Sequence, residues 1–374
     1  GHPLRARRGL MSRPGLDEVL AYREHVDRAM DDLLDCQLDR ETLARVELGL
    51  NHEQQHQELI VTDVKYALWS QPLRPAYMKP RMRLAPRPQP PAWMGVGEGV
   101  YEIGHDGEAF AFDNESPRHK AYLEACKLAT RLVTNGEYLE FIKDGGYSRP
   151  ELWLSEGWDA VQAEQWRGPL YWEESPSEAA TAVARDPDSS ASSNEAAELD
   201  KNPGGWRVFT LSGMRQLDLH EPVCHVSYFE ADAFARWAGA RLPREEEWEV
   251  AAATVPLSGN LLESGELHPR PGERVAPANA TKALDGGVQA DADLGQMFGD
   301  VWEWTASQYT AYPGFKPVEG ALGEYNGKFM CNQFVLRGGS CATPCSHIRA
   351  TYRNFFPPHA RWQFSGIRLA KDGN

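Results

Sequence analysis

Apolar positions recur at helical spacing only near the start of the chain. Leu16, Val19, Leu20, Val26, Met30, Leu33 and Leu34 predict one amphipathic helix running to about Leu34. From Arg40-Glu41-Thr42 a longer run carries Leu43, Val46, Leu50, Leu59, Ile60, Val64, Ala67 and Leu68, and predicts a second helix to about Trp69. Two helices do not enclose a core, because a bundle normally takes about four, so the pattern implies helices upstream of Gly1 or a partner surface. The opening Gly1-His2-Pro3, in place of Met, and the basic stretch Leu4-Arg5-Ala6-Arg7-Arg8-Gly9-Leu10 point the same way. Residues 71–93 then hold Pro72, Pro75, Pro80, Pro86, Pro88, Pro90 and Pro91, a stiff connector that sets the domain boundary.

After Trp93 the texture changes to short runs punctuated by glycine, with 95–104 reading as strand and turn. Helices return only locally. Thr134-Asn135-Gly136-Glu137 opens one, Ser227-Tyr228-Phe229-Glu230 is a capping box ahead of Ala233, Phe234 and Trp237, and Pro243 precedes a third over Glu245 to Ala252. Residues 174–204, rich in Ser, Ala, Asp and Glu without apolar periodicity, read as a mobile surface insertion. No internal repeat is evident.

Composition narrows the class. The 374 residues are 41% hydrophobic and 25% charged, enough for about two domains with cores. A formal charge of -15 and a sequence pI near 5.3 argue against nucleic acid or an anionic membrane as partner. No apolar run approaches the roughly 18 residues that span a bilayer and no secretory signal opens the chain, which reads as cytoplasmic. Six scattered cysteines are too few for a disulfide scaffold; Cys341 and Cys345 are close enough in sequence to form a redox or metal pair, or to be separate thiols. Oligomeric state is not legible.

The chemistry concentrates in Leu50-Asn51-His52-Glu53-Gln54-Gln55-His56-Gln57-Glu58-Leu59-Ile60. His52 and His56, four apart on a helix, fall one turn apart on one face and can grip one cation. The same letters match the short His-Glu-x-x-His pattern of zinc proteases, a weak signal alone.

Six blocks in order carry a stronger likeness: Gly145-Gly146-Tyr147, Pro222-Val223-Cys224-His225-Val226-Ser227, Ala240-Arg241-Leu242-Pro243-Arg244-Glu245-Glu246-Glu247-Trp248-Glu249, Gly299-Asp300-Val301-Trp302-Glu303-Trp304-Thr305, Val335-Leu336-Arg337-Gly338-Gly339-Ser340 and Ser365-Gly366-Ile367-Arg368-Leu369. Roughly residues 93 to 371 resemble the formylglycine-generating-enzyme type of domain, related to C-type lectins. With the histidine helix, the whole resembles the ergothioneine-biosynthetic sulfoxide synthases, non-haem iron enzymes. The implied fold class is α+β: a DinB-like helical segment over 1–70 lacking its first helices, a linker over 71–92, and the lectin-like domain over 93–374.

The resemblance implies iron(II) held by three histidines, two of them in a His-x-x-x-His-x-Glu pattern that His52, His56 and Glu58 reproduce. The third lies upstream in the family, and neither His2 nor His25 has its surroundings. Three imidazoles on one face would leave positions for a thiolate, a substrate imidazole and O2. The implied reaction joins the sulfur of cysteine or γ-glutamylcysteine to imidazole C2 of Nα-trimethylhistidine as a sulfoxide. Glu58 and Gln57 either orient the imidazoles or are solvated helix surface.

Substrate contacts follow from the same likeness. Arg5 and Arg8 fall where the family holds the carboxylate of the thiol substrate, with a solvated basic tail as the other reading. Gln55 and Asn354 match contacts to the imidazole substrate. Where some members have an aromatic residue followed by aspartate to read the γ-glutamyl donor, this chain has Phe355-Phe356, which favours free cysteine; both rings pack near the trimethylammonium or donor, or are core. Tyr325 is the local candidate for the tyrosine that supplies a proton, although the family members with similar aromatic pairs draw theirs from upstream. The other histidines, His105, His119, His220, His225 and His268, read as structural. Asp300 and Glu303 suggest a structural calcium site.

Other readings stay open. A copper oxidase that generates formylglycine would use two cysteines after Arg-Gly-Gly-Ser, from which Cys341 and Cys345 are offset. An ovothiol-type synthase would attack another imidazole carbon of histidine. A non-catalytic binding module fits a chain that truly starts at Gly1, and a zinc protease ranks last.

Overall fold

The computed structural model describes residue 10 and residues 12–80, 90–174, 205–272, 294–317 and 326–373. It divides into two compact units, Gly1–His52 and Glu53–Asn374. The boundary falls inside a helix.

In the first unit, α1 (Leu16–Leu34) starts where the backbone N–H of Gly15 donates to Glu18 Oε2 at 2.8 Å, and it buries none of its residues. Its predicted apolar face is open: Leu16 and Leu20 are 72% and 57% exposed. Helix α2 (Arg40–Ser70) begins with Asp39 Oδ1 accepting from the Thr42 N–H at 2.7 Å, a standard acidic cap. These two helices are what the described residues contribute to the predicted bundle.

The second unit opens with the end of α2, then β1 (Trp93–Val96), β2 (Gly99–Ile103), β3 (His119–Leu123) and β4 (Cys126–Ala129). Helices α3 (Asn135–Lys143) and α4 (Ser155–Glu164) precede β5 (Trp172–Glu174), β6 (Trp206–Thr210) and β7 (Gly213–Gln216). Helices α5 (Tyr228–Trp237) and α6 (Glu245–Ala252) follow, then β8 (Gly259–Asn260), β9 (Phe298–Gly299), β10 (Trp302–Gln308) and β11 (Phe334–Arg337). The chain closes with β12 (Asn354–Phe356), β13 (Ser365–Gly366) and β14 (Ala370–Asp372). Small sheets dominate: β1-β4-β14, β5-β6-β7 and β12-β11-β10-β13, with pairs β2-β3 and β8-β9. This is a mixed α+β architecture with much connecting loop, in line with the predicted class.

Local chemistry explains the helices. Ser227 Oγ accepts from the Glu230 N–H at 3.1 Å while Glu230 Oε2 accepts from the Ser227 N–H at 2.8 Å, the reciprocal capping box that opens α5. Thr134 and Glu137 repeat it at α3. Helix α6 packs among β1 to β4, β10 and β11, so its acidic residues become internal. Glu245 receives both Arg337 and Arg353, and Trp248 donates its indole N–H to Glu303 at 2.7 Å. Arg368 completes that core with two bonds to Glu303, at 2.8 and 2.9 Å.

Candidate functional site

The C-terminal half of α2 buries three polar residues, Glu58, Thr62 and Lys65, spaced 4 and 3 apart on one face. Glu58 is the main anchor. Its Oε1 accepts from Trp302 Nε1 at 2.7 Å and Ser340 Oγ at 2.6 Å, and its Oε2 accepts from Thr343 Oγ1 at 2.9 Å. Burial pushes the carboxyl pKa up, and the three donors oppose that shift. Ser340 and Thr343 belong to the segment after Arg337-Gly338-Gly339, whose turn needs glycine: Gly338 has φ +96°, and a Cβ there would stand 2.6 Å from the Met297 carbonyl oxygen.

Two turns further along α2, Lys65 Nζ lies 2.7 Å from His225 Nε2, with both side chains buried. Burial, then the neighbouring ammonium, hold the imidazole pKa well below 6.5, so a neutral ring accepts from Lys65. His225 sits at φ +65°, a left-handed conformation costing about 1–3 kcal/mol for most residues. Its N–H donates to Ser365 O at 2.8 Å and its own carbonyl accepts from Leu170 N at 3.1 Å, which holds the strain.

Burial lowers the Lys65 pKa to about 8; Arg215 works in the same direction, against Cys224, Cys341 and Glu221. A folded-state pKa below the unfolded value of about 10.4 means that the native state binds fewer protons, so this residue's contribution to stability improves as pH rises from about 8 to 10. We therefore expect the stability advantage of Lys65→Met over wild type to shrink by about 2–3 kcal/mol between pH 7 and pH 10. Denaturant midpoints of the two proteins across that range check it; a constant difference contradicts it.

One turn before Glu58, Gln54 Nε2 donates to Ser346 Oγ at 2.8 Å and Gln55 Nε2 donates to Tyr352 Oη at 2.7 Å. Tyr352 Oη in turn lies 3.0 Å from His347 Nε2. The loop between β11 and β12 thus grips α2 at Gln54, Gln55 and Glu58. His56, between these contacts, is exposed, and so is Gln57. His52, also exposed, is the last residue of the first unit. Both imidazoles stand on the same continuous helix four residues apart.

Asn354 opens β12, and its Oδ1 accepts from the Phe355 N–H at 2.9 Å. Phe355 stacks on Tyr309 with centroids 4.0 Å apart, whereas Phe356 meets the edge of Trp362 at 4.9 Å. Successive strand residues point to opposite faces, so the two rings lie on opposite sides of β12. Arg5, Arg8, Tyr325 and His2 lie outside the described residues.

Several expectations are corrected. Asp300 accepts from Asn260 Nδ2, the Arg270 N–H and Gln296 Nε2 at 2.7 to 3.0 Å, and Glu303 is committed to Arg368 and Trp248. Carboxylates saturated by N–H donors form struts, not a calcium cage. Cys341 is buried with its pKa pushed well above 9 by burial, while Cys345 is exposed; both are free thiols, not a pair. His268 lies against Glu221 at 3.1 Å, with burial lowering its pKa to about 4.

Toward a metal, the donor set on α2 fits ferrous iron in kind, since imidazole nitrogen suits it and both rings are exposed. Among the described residues no group of three or more His, Cys, Asp or Glu is placed to hold an ion. Among those residues, too, no helix is long and apolar enough to cross a membrane. Sequence reasoning missed Lys65, Trp302, His347 and Tyr352. The one signal was a lone lysine in the apolar run Val64 to Leu68.

Residues 79–373 match the sulfatase-modifying factor enzyme 1-like domain. A protein named hercynine oxygenase from Mycobacterium tuberculosis is 35% identical over 275 residues, covering 71% of this chain and 57% of its own length. One of the same name from Mycolicibacterium smegmatis is 31% identical over 376 residues, covering 95% of this chain and 78% of its own. Ergothioneine biosynthesis protein 1 of Schizosaccharomyces pombe is 26% identical over 276 residues, 70% of this chain and 28% of that protein. The chain therefore spans little more than half of the first of these relatives.

Proposed function

The chain belongs to the sulfatase-modifying factor enzyme 1-like family and, within it, to the hercynine oxygenases, and on that premise we propose that it is an iron(II)- and O2-dependent oxidoreductase joining the sulfur of cysteine to C2 of Nα-trimethylhistidine. The observation that carries the reading is the grip on α2. A lobe of this family alone would not need the histidine helix, yet Gln54, Gln55 and Glu58 are bonded to the loop that follows Arg-Gly-Gly-Ser. That grip fixes His56 beside Gln55.

In this proposal His52 and His56 hold the iron, with a third donor from outside the described residues. The chemistry that such an ion supplies is activation of dioxygen next to the sulfur. The reaction balances without a further reductant. The S–H and the imidazole C2–H bonds break, one C–S and one S=O bond form, and O2 takes four electrons to give the sulfoxide oxygen and one water. Gln55 and Asn354 would orient the imidazole, Glu58 would hold the register of α2, and Arg5 and Arg8 would take the carboxylate of the thiol substrate. Tyr325 is the proposed proton source.

Phe356, where an acid would read a γ-glutamyl group, favours free cysteine. We expect kcat/KM for cysteine to exceed that for γ-glutamylcysteine by at least about tenfold, since an apolar ring offers no partner to the extra charged group. Steady-state rates with the two thiols at saturating Nα-trimethylhistidine decide it, and the reverse ranking rejects the donor assignment.

A further inference from the structure

We propose that Phe355 is a positioning residue for the imidazole substrate: its backbone N–H holds the Asn354 amide oxygen and its ring anchors that peptide, so that Asn354 meets the substrate as a hydrogen-bond donor. The inference deepens the functional reading and rests on Asn354 facing that substrate.

An asparagine amide carries a donor and an acceptor on nearly indistinguishable atoms, and its partners decide which end goes where. A backbone N–H decides it outright, because it can only donate. The Phe355 N–H donates to Asn354 Oδ1 at 2.9 Å. Turning the amide over would set an NH2 group against that N–H, donor against donor. Asn354 Nδ2 is therefore the outward end, and among the described residues it meets no acceptor. The side chain is half-buried, so a ligand can reach it.

The peptide that carries this bond is held on both sides. Before it, the buried Arg353 guanidinium bonds both Glu245 oxygens, at 2.8 and 2.9 Å, and the Asn114 and Thr310 carbonyls, each at 2.9 Å. After it, the Phe355 ring stacks on Tyr309 with an interplanar angle of 10°, and Phe329 lies 5.8 Å from the same ring. Tyr309 Oη in turn accepts from Asn114 Nδ2 at 2.9 Å. Asn354 itself lies opposite Leu336 in the pairing of β11 with β12. With both neighbours fixed, the freedom left to Asn354 is that of its side chain, and the bond to the Phe355 N–H restrains it. Asn354 and Phe355 point to opposite faces of β12, so the ring acts from behind, through the backbone.

Nα-trimethylhistidine suits a donor. Its quaternary nitrogen carries no proton, and its acceptors are the carboxylate and the unprotonated ring nitrogen. A bond to the carboxylate is the stronger because it is charge-assisted.

The test is binding calorimetry on the full chain. Asn354→Asp keeps the acceptor for the Phe355 N–H and removes the outward donor, so it should weaken Nα-trimethylhistidine binding at least about tenfold with the unfolding midpoint close to wild type. Equal or tighter binding overturns the donor assignment alone. A loss that the decarboxylated analogue does not share supports a donor on the carboxylate, and a loss shared by both supports one on the ring nitrogen. Phe355→Ala should weaken binding about fivefold in the wild-type background and not at all in an Asn354→Ala background, since it acts through Asn354. Phe355→Leu, which leaves more of the stack filled, repeats the cycle if Phe355→Ala does not fold. An effect of Phe355 that persists in the Asn354→Ala background overturns the positioning role. A wild type that binds no Nα-trimethylhistidine overturns both this inference and the functional reading beneath it.

Discussion

Substituting alanine for His56 should strip iron from the full chain and lower kcat/KM with cysteine and Nα-trimethylhistidine by roughly a thousandfold or more. The imidazole is exposed on α2, so its removal leaves no cavity. Stability should therefore change by less than about 0.5 kcal/mol, as for ordinary surface sites. This separates loss of the metal from loss of the fold. Elemental analysis of the purified variant and its denaturant midpoint are the two readouts. A full complement of iron in His56→Ala would show that the ion, if bound, is held elsewhere.

Glu58→Ala should have the opposite profile, with a stability loss of about 3–5 kcal/mol. The substitution leaves Trp302 Nε1, Ser340 Oγ and Thr343 Oγ1 without their shared acceptor in a place water does not reach. It also releases α2 from the loop beyond β11. The urea midpoint should fall with the slope of the transition unchanged, since the surface exposed on unfolding is nearly the same. Glu58→Gln should lie between, because the amide keeps one acceptor but turns an NH2 group toward existing donors. A loss below about 1 kcal/mol for Glu58→Ala would mean that the helix is held mainly by its apolar contacts, against the reading given above.

The contrast between these two neighbours on one helix shows what the sequence makes legible. The caps at Ser227 and Thr134, the length of α2 and the glycine demanded at position 338 are local signals, written in a few adjacent residues, and they can be read directly. The docked face of α2 cannot, because it consists of Glu58, Thr62 and Lys65, which hydrophobic patterning assigns to solvent. Burial of those groups depends on donors and acceptors more than 100 residues away, such as Trp302, Ser340 and His225. The buried guanidiniums of Arg337, Arg353 and Arg368 are equally invisible to a hydropathy argument, since each is neutralised by a distant carboxylate. The opposed directions of Phe355 and Phe356, by contrast, follow from strand alternation, which a strand assignment at β12 would have supplied.

The candidate site divides in a similar way. His52, His56 and Gln55 stand out through their spacing and their family likeness. Tyr352 and His347, the residues that hold Gln55, carry no motif and emerge only where the β11 to β12 loop folds back on the helix.

The most direct measurement is product analysis after aerobic incubation of the iron-loaded full chain with cysteine and Nα-trimethylhistidine deuterated at imidazole C2. The proposed reaction predicts a 1:1 adduct that has gained one oxygen atom on sulfur and lost the C2 deuterium. Recovery of Nα-trimethylhistidine with its deuterium intact, with cysteine unchanged or oxidised on its own, would contradict it.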